Sequence, residues 1–216
     1  MSAATDSRRK WSRRRSNSKP TASRVAHQPW QRVTAGAVTT AGVIGFAAWK
    51  VPLGLPGHRA LGWLTMLVAA RLIAGRGWGA GVGIVSAVLV LALGISPDGI
   101  YGVADYAIAG VLIDATLTAR PSIAGNAVKL AVLGAIVLLA VGWIAPLGRS
   151  LTGGIPMAEL WPSLVSVAGA GLSRLVVLDL AFGAVAGAMG WGLASALRRA
   201  SDPALGRAQV EVAGAA

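Results

Sequence analysis

Apolar residues in this chain come in long runs, not in strict alternation. From Val33 to about Leu197, six mostly apolar stretches follow one another, each separated by a short break rich in Pro, Gly or charge. Runs of this length read as lipid-immersed helices, since a spanning helix needs roughly 17 to 25 mostly apolar residues and strands are far shorter. The first run, VTAGAVTTAGVIGFAAW, covers Val33 to Trp49 and ends at Lys50 before VPLGLPGHR, where two prolines and two glycines forbid continued helix. The second covers about Ala60 to Ala74, and the third about Trp78 to Ile95, broken by SPDGIYG. The fourth covers Val103 to Ala119, stopped by Arg120-Pro121, and the fifth Ala124 to Ile144, stopped by Pro146. A half-apolar stretch from Ala158 to Gly171 then precedes a sixth run, Leu172 to Leu197. The region from Glu159 to Leu197 is too long for one helix and barely long enough for two, so the pattern predicts an interfacial or re-entrant segment before the last span.

The expected fold is therefore all-α and integral to a membrane: six transmembrane helices over residues 33–199, between a disordered basic tail of residues 1–32 and a short tail of residues 200–216. With 55% apolar residues and a mean hydropathy of +0.64, the chain has no stretch for an additional soluble catalytic domain. A net charge of +12 points at first to nucleic acid, yet nine of the twenty Lys and Arg residues precede Val33, where Asp6 is the only acid. That Ser-rich tail repels itself and has no groove-reading fold, so anionic lipid headgroups are its expected neighbours and nucleic acid is not. Its Ser7-Arg8-Arg9-Lys10-Trp11 faintly resembles a twin-arginine export signal, but the first apolar run lies too far downstream, and the tail reads as retained charge with no cleaved leader.

Basic residues set the expected orientation, because cytoplasmic loops carry the excess of Lys and Arg. The N-terminal tail, Arg71 with Arg76, Arg120 with Lys129, and Arg198, Arg199 and Arg207 fall on one side; Lys50 with Arg59, Asp98, and Arg149 with Glu159 fall on the other. Both termini are therefore expected in the cytoplasm and the chain in the cell membrane.

Ionisable groups inside the runs are few, namely Arg71, Asp105, Asp114, Lys129, Arg174 and Asp179, and each needs a partner because an unpaired charge in hydrocarbon is costly. Arg71 and Asp114 lie at matching depth from the inner side, so a structural ion pair is expected, with Lys129 as a competing partner. On the outer side, polar and aromatic groups gather: His58, Tyr101, Asp105, Tyr106, Trp143, Arg174 and Asp179, with Arg59 and Trp161 nearby. Rings with a few convergent polar groups are what a small-molecule site requires, although an interfacial belt by itself accounts for Trp143 and Trp161. In the first run Ala37, Ala41 and Gly45 set small residues on one face, which lets another helix approach closely.

Catalytic arrangements fail on inspection. Gly171-Leu172-Ser173 lacks the glycine of a rhomboid-type serine site, and no histidine follows His58. Asp98, Asp105 and Asp114 are too widely spaced for a CDP-alcohol transferase, and no phosphate-binding glycine loop is present. Zero cysteines leave redox chemistry without an anchor. Neither enzymatic activity, a cofactor nor a metal is expected.

Taken together, six spans, both ends inside, a small-residue face on the first span and polar outer loops resemble the substrate-binding S component of energy-coupling-factor (ECF) vitamin transporters, over about residues 32–199. The segment LGLPGHRALGWLTMLVAARLIAGRGWGAGVGIVSAVL is also similar to the second and third spans of such proteins. The resemblance implies a bacterial subunit that captures a small organic micronutrient from outside and docks on a transmembrane coupling protein served by two ATPases. It further implies that Ala37-Val38-Thr39-Thr40-Ala41 matches the family's Ala-x-x-x-Ala docking motif, and that the solute site draws on His58, Tyr101, Asp105, Tyr106, Trp143, Arg174 and Asp179. Related cobalt and nickel subunits begin Met-His, whereas this chain begins Met-Ser-Ala-Ala, so a metal cargo is not expected. A membrane enzyme or an assembly scaffold is the alternative reading.

Overall fold

A computed structural model describes residues 29–49, 58–96, 99–151 and 172–201, and among them every regular element is helical. The helices are α1 (Pro29–Ala48), α2 (Ala60–Ala74), α3 (Trp78–Ala92), α4 (Gly99–Ala119), α5 (Ala127–Leu151) and α6 (Leu172–Ala200), with a 3₁₀ turn at Pro121–Ile123. Pro29 suits the first helical position of α1, where its missing N–H has no intrahelical partner to lose. Asn126 starts α5 by accepting the Val128 and Lys129 N–H groups on Oδ1, at 2.9 and 3.1 Å.

Small residues decide how the helices approach one another. In α3 and α4, Gly83 lies against the Tyr106 carbonyl and Gly110 against the Gly79 carbonyl, so the two run antiparallel. In α5 and α6, Gly134 and Gly183 meet backbone to backbone, and Gly187 meets the Leu130 carbonyl. A side chain at any of these positions would drive the helices apart. Gly42 packs on Met66 and Gly62 on the Phe46 ring, setting α1 antiparallel to α2. α2 and α6 run parallel: Thr65 Oγ1 donates to Ala186 O at 3.3 Å, and farther along both helices the Arg198 guanidinium donates to Leu72 O. These directions bring Pro29 and Ala200 to the same end of the bundle. Arg76, Arg120, Lys129, Arg198 and Arg199 lie at that end, hereafter the basic end.

The interior is apolar and so is the outside. Leu64, Leu67, Ile113 and Leu130 are fully buried, while Val128, Val132 and Ile136 form an exposed stripe on α5, as do Ile84, Val85 and Val88 on α3 and Val177, Val185 and Met189 on α6. Such a large apolar surface is a liability in water and costs nothing against lipid tails. Two helical stretches, Gly102–Ala119 and Val176–Ala200, are long and apolar enough to cross a membrane, while α2, α3 and Ala127–Trp143 are shorter apolar helices.

Several boundaries differ from the sequence expectation. α1 begins at Pro29, four residues before Val33, and α4 begins at Gly99, whose φ of +57° a glycine adopts without strain. α5 continues through Pro146 to Leu151. Proline removes one backbone donor from a helix, so α5 passes Pro146 with one intrahelical hydrogen bond fewer. The segment 158–171 with Trp161, the loop around Lys50, and residues 1–28 and 202–216 lie outside the described residues.

Candidate functional site

At the basic end, α2 and α3 are joined by Gly75-Arg76-Gly77, with Gly75 and Gly77 at φ +102° and +86°. Gly77 occupies the N-cap of α3 and has no side chain with which to satisfy the helix's first N–H groups. Asp114 of α4 supplies that function across the bundle. Its Oδ1 accepts the Gly77 N–H at 3.0 Å and its Oδ2 the Ala80 N–H at 2.5 Å. Arg71, in the last turn of α2, places Nε 2.5 Å from Asp114 Oδ1, and its Nη2 reaches Thr118 Oγ1 at 3.4 Å. Both side chains are nearly buried, at 14% and 10% exposure, so the charges meet where little water screens them. Lys129 is exposed. Gly79 fits closely here, since a Cβ would lie 3.1 Å from Asp114 Oδ2 and 3.3 Å from Arg71 Cβ, tight enough that these neighbours would have to give by a few tenths of an ångström. This arrangement ties α2, α3 and α4 together.

The opposite end holds a cavity of about 130 Å³. Phe46 and Ala47 of α1, Arg59 and Trp63 at the start of α2, Ser96 after α3, and Gly102, Asp105 and Tyr106 of α4 line it. Trp63 is buried and meets the Tyr106 ring edge-on, with centroids 5.2 Å apart at 82°, an arrangement that suits the ring quadrupoles and holds both in place. Gly62 lets the Phe46 ring settle on α2, and Gly83 lets α4 close on α3 at Tyr106, so both walls depend on missing side chains. Arg59 is exposed and Asp105 half-buried. One carboxylate, one guanidinium, two hydroxyls and three rings thus belong to the residues that line a small shared space.

No protein-family model, curated protein or solved structure matches this chain.

Of the residues expected at a solute site, Asp105 and Tyr106 line the cavity. His58 is half-buried in the turn before α2, where its carbonyl accepts the Leu61 N–H at 3.2 Å, and it is not a lining residue. Asp179 sits elsewhere, on α6 against α5, with Oδ2 3.2 Å from where a Cβ on Gly142 would stand; Trp143 follows on α5, half-buried. Tyr101 and Arg174 lie in the first turns of α4 and α6, and their side chains fall outside the described residues. Of the expected set, Asp105 and Tyr106 thus share the cavity, while Asp179 lies at the α5–α6 contact and His58 at neither. Among the lining residues, Phe46, Trp63 and Ser96 were not singled out as solute contacts. Ser96 had a signal, standing directly before the Pro97 break, and Trp63 had one as an aromatic near the end of a span. Phe46 had none, since its place depends on Gly62 of another helix.

On α1, Ala37, Ala41 and Gly45 are exposed, and Gly45 has open space where a side chain would be. The other face of α1 is occupied: Gly36 meets the Trp78 ring, and Val43 is fully buried.

Proposed function

We propose that this chain is a six-span membrane subunit, with both ends in the cytoplasm, that captures a small organic solute for an ATP-driven transporter of the ECF type. The observation that carries the reading is the cavity at the end of the bundle opposite the basic end, because basic loops face the cytoplasm and the cavity would then open toward the outside. The small stripe on α1 supports the second half of the reading. In lipid a helix gains little from apolar burial against another helix, so an unfilled small-residue face offers the close backbone approach that a coupling protein needs. ATP hydrolysis would belong to separate chains.

The test is native mass spectrometry on gently extracted protein, paired with copurification from the source membrane. A stoichiometric small molecule should be retained by the wild type and lost in Asp105→Ala. Ala37→Trp and Ala41→Trp should abolish copurification of a coupling protein while the small molecule stays bound. An assembly scaffold would show partner binding with no retained molecule, and that result would overturn the proposal.

A further inference from the structure

We infer that the corner between α4 and α5 seats an anionic phospholipid, its phosphate held by Arg120 and Lys129 and one acyl chain lying along Val128, Val132 and Ile136. The inference rests on the bundle lying in a bilayer and on nothing about the solute. Charge comes first. Among the described residues, Arg32, Arg76, Arg120, Lys129, Arg198 and Arg199 are all exposed at the basic end. Asp114, the described acid at that end, is buried, and its oxygens are taken by Arg71 and two backbone N–H groups. Among the described residues, then, these exposed cations have no acid to pair with. At a bilayer surface such an excess draws anionic headgroups.

Lys129 narrows the place. It stands in the first turn of α5, where no acid accompanies it and where a cation opposes the helix dipole, so its charge does nothing for α5 itself. Asn126 Oδ1 already accepts two N–H groups of that turn, and what the corner lacks is a countercharge. Arg120 belongs to the same compact corner. Its carbonyl accepts the Ile123 N–H at 3.1 Å, the Ile123 carbonyl accepts the Asn126 N–H at 3.1 Å, and Asn126 Oδ1 accepts the Lys129 N–H. Two long basic side chains therefore rise from one short turn, and the planar fork of an arginine suits a phosphate.

The apolar half of the seat lies beside the charged half. Val128, Val132 and Ile136 recur every four residues, so they form one exposed stripe that starts next to Lys129 and runs along α5 away from the basic end. A lysine stem lies along such a surface while its ammonium reaches a headgroup. A soluble phosphate would use the charges alone, whereas a phospholipid uses both halves. The other basic positions do not combine them in this way: the Arg198 guanidinium is engaged with the Leu72 carbonyl, and Arg76 has a glycine on either side. Because α5 packs on α4 and α6, and α1 on α2 and α3, a lipid at this corner leaves the small-residue stripe of α1 open.

The experiment is native mass spectrometry of the full-length protein, delipidated in detergent and then offered dioleoylphosphatidylglycerol and dioleoylphosphatidylcholine together. The anionic lipid should be retained roughly 25-fold over the choline lipid, from about fivefold for each of two basic residues at a lipid surface. Lys129→Gln and Arg120→Gln should each lower that preference about fivefold, and the double substitution should remove it. Arg76→Gln, exposed at the same end, should preserve it. All three side chains are exposed, so the variants keep the fold. Equal retention of the two lipids overturns the inference, as does a preference that Lys129→Gln and Arg120→Gln leave intact. Glycerol phosphate retained as well as the anionic lipid would assign the corner to a soluble anion and overturn it too. So would a second copy or an acidic protein held there, seen as added protein mass that the same two substitutions release. Solute capture stands or falls separately, on the small molecule retained by the wild type and lost in Asp105→Ala.

Discussion

Asp114 shows how much a single side chain does in this bundle. It neutralises Arg71 and also caps α3 from a different helix, so its removal strands a buried guanidinium and two backbone N–H groups at once. Breaking a buried pair in this way costs about 3–5 kcal/mol. Asp114→Ala should therefore lower stability by that amount in detergent unfolding titrations, with Asp114→Asn falling between because it keeps an acceptor oxygen. Arg120→Ala, at an exposed position, should stay within about 0.5 kcal/mol of wild type. Equal stability of Asp114→Ala and wild type would refute the account. The pairing of Arg71 with Asp114 is legible in the sequence from matched depth along two helices that run in the same direction. The capping is not, because Gly77 reveals only that α3 lacks a local cap, and the residue that replaces it lies 37 positions away.

At the scale of elements, helix pairs are set by where side chains are missing. α5 and α6 touch backbone to backbone at Gly134 and Gly183 and again at Gly187, and an inserted side chain there must part the helices. Gly187→Val should cost about 1–3 kcal/mol through overpacking and lower the thermal midpoint accordingly. Gly192→Val on the same helix, facing open space, should leave it nearly unchanged. If the two variants melt alike, close α5–α6 packing does not hold the bundle together. The sequence shows glycines on both helices but does not say which of them meet. α2 and α3 are short, at 15 residues each and a rise of about 22 Å. Their connecting turn lies beside Asp114, five residues before the end of α4, where the Gly77 and Ala80 N–H groups find a carboxylate.

For the whole molecule, the helix directions bring the beginning of α1 and the end of α6 to one end, together with most of the basic side chains among the described residues. The absence of cysteine makes the membrane orientation directly measurable. Single cysteines at Ser2 and Ser201 should react with an impermeant maleimide only after the membrane is opened, and one at Ser96 should react from outside in intact cells. Labelling of Ser2 and Ser201 from opposite sides would sink the proposed topology. Hydrophobic run lengths determined by themselves that the chain is helical and apolar on the outside, because each helix satisfies its own backbone and needs no distant partner to be recognised. Which outer residues share a cavity was decided by tertiary structure alone. Asp105 shares a cavity with Arg59, Trp63 and Phe46 where Gly62 lets α1 close on α2 and Gly83 lets α4 close on α3, while Asp179, equally polar and at the same end, is carried by α6 to a different neighbour, Gly142. Depth along a helix can be counted from a sequence; rotation about its axis is fixed only when another helix packs against it.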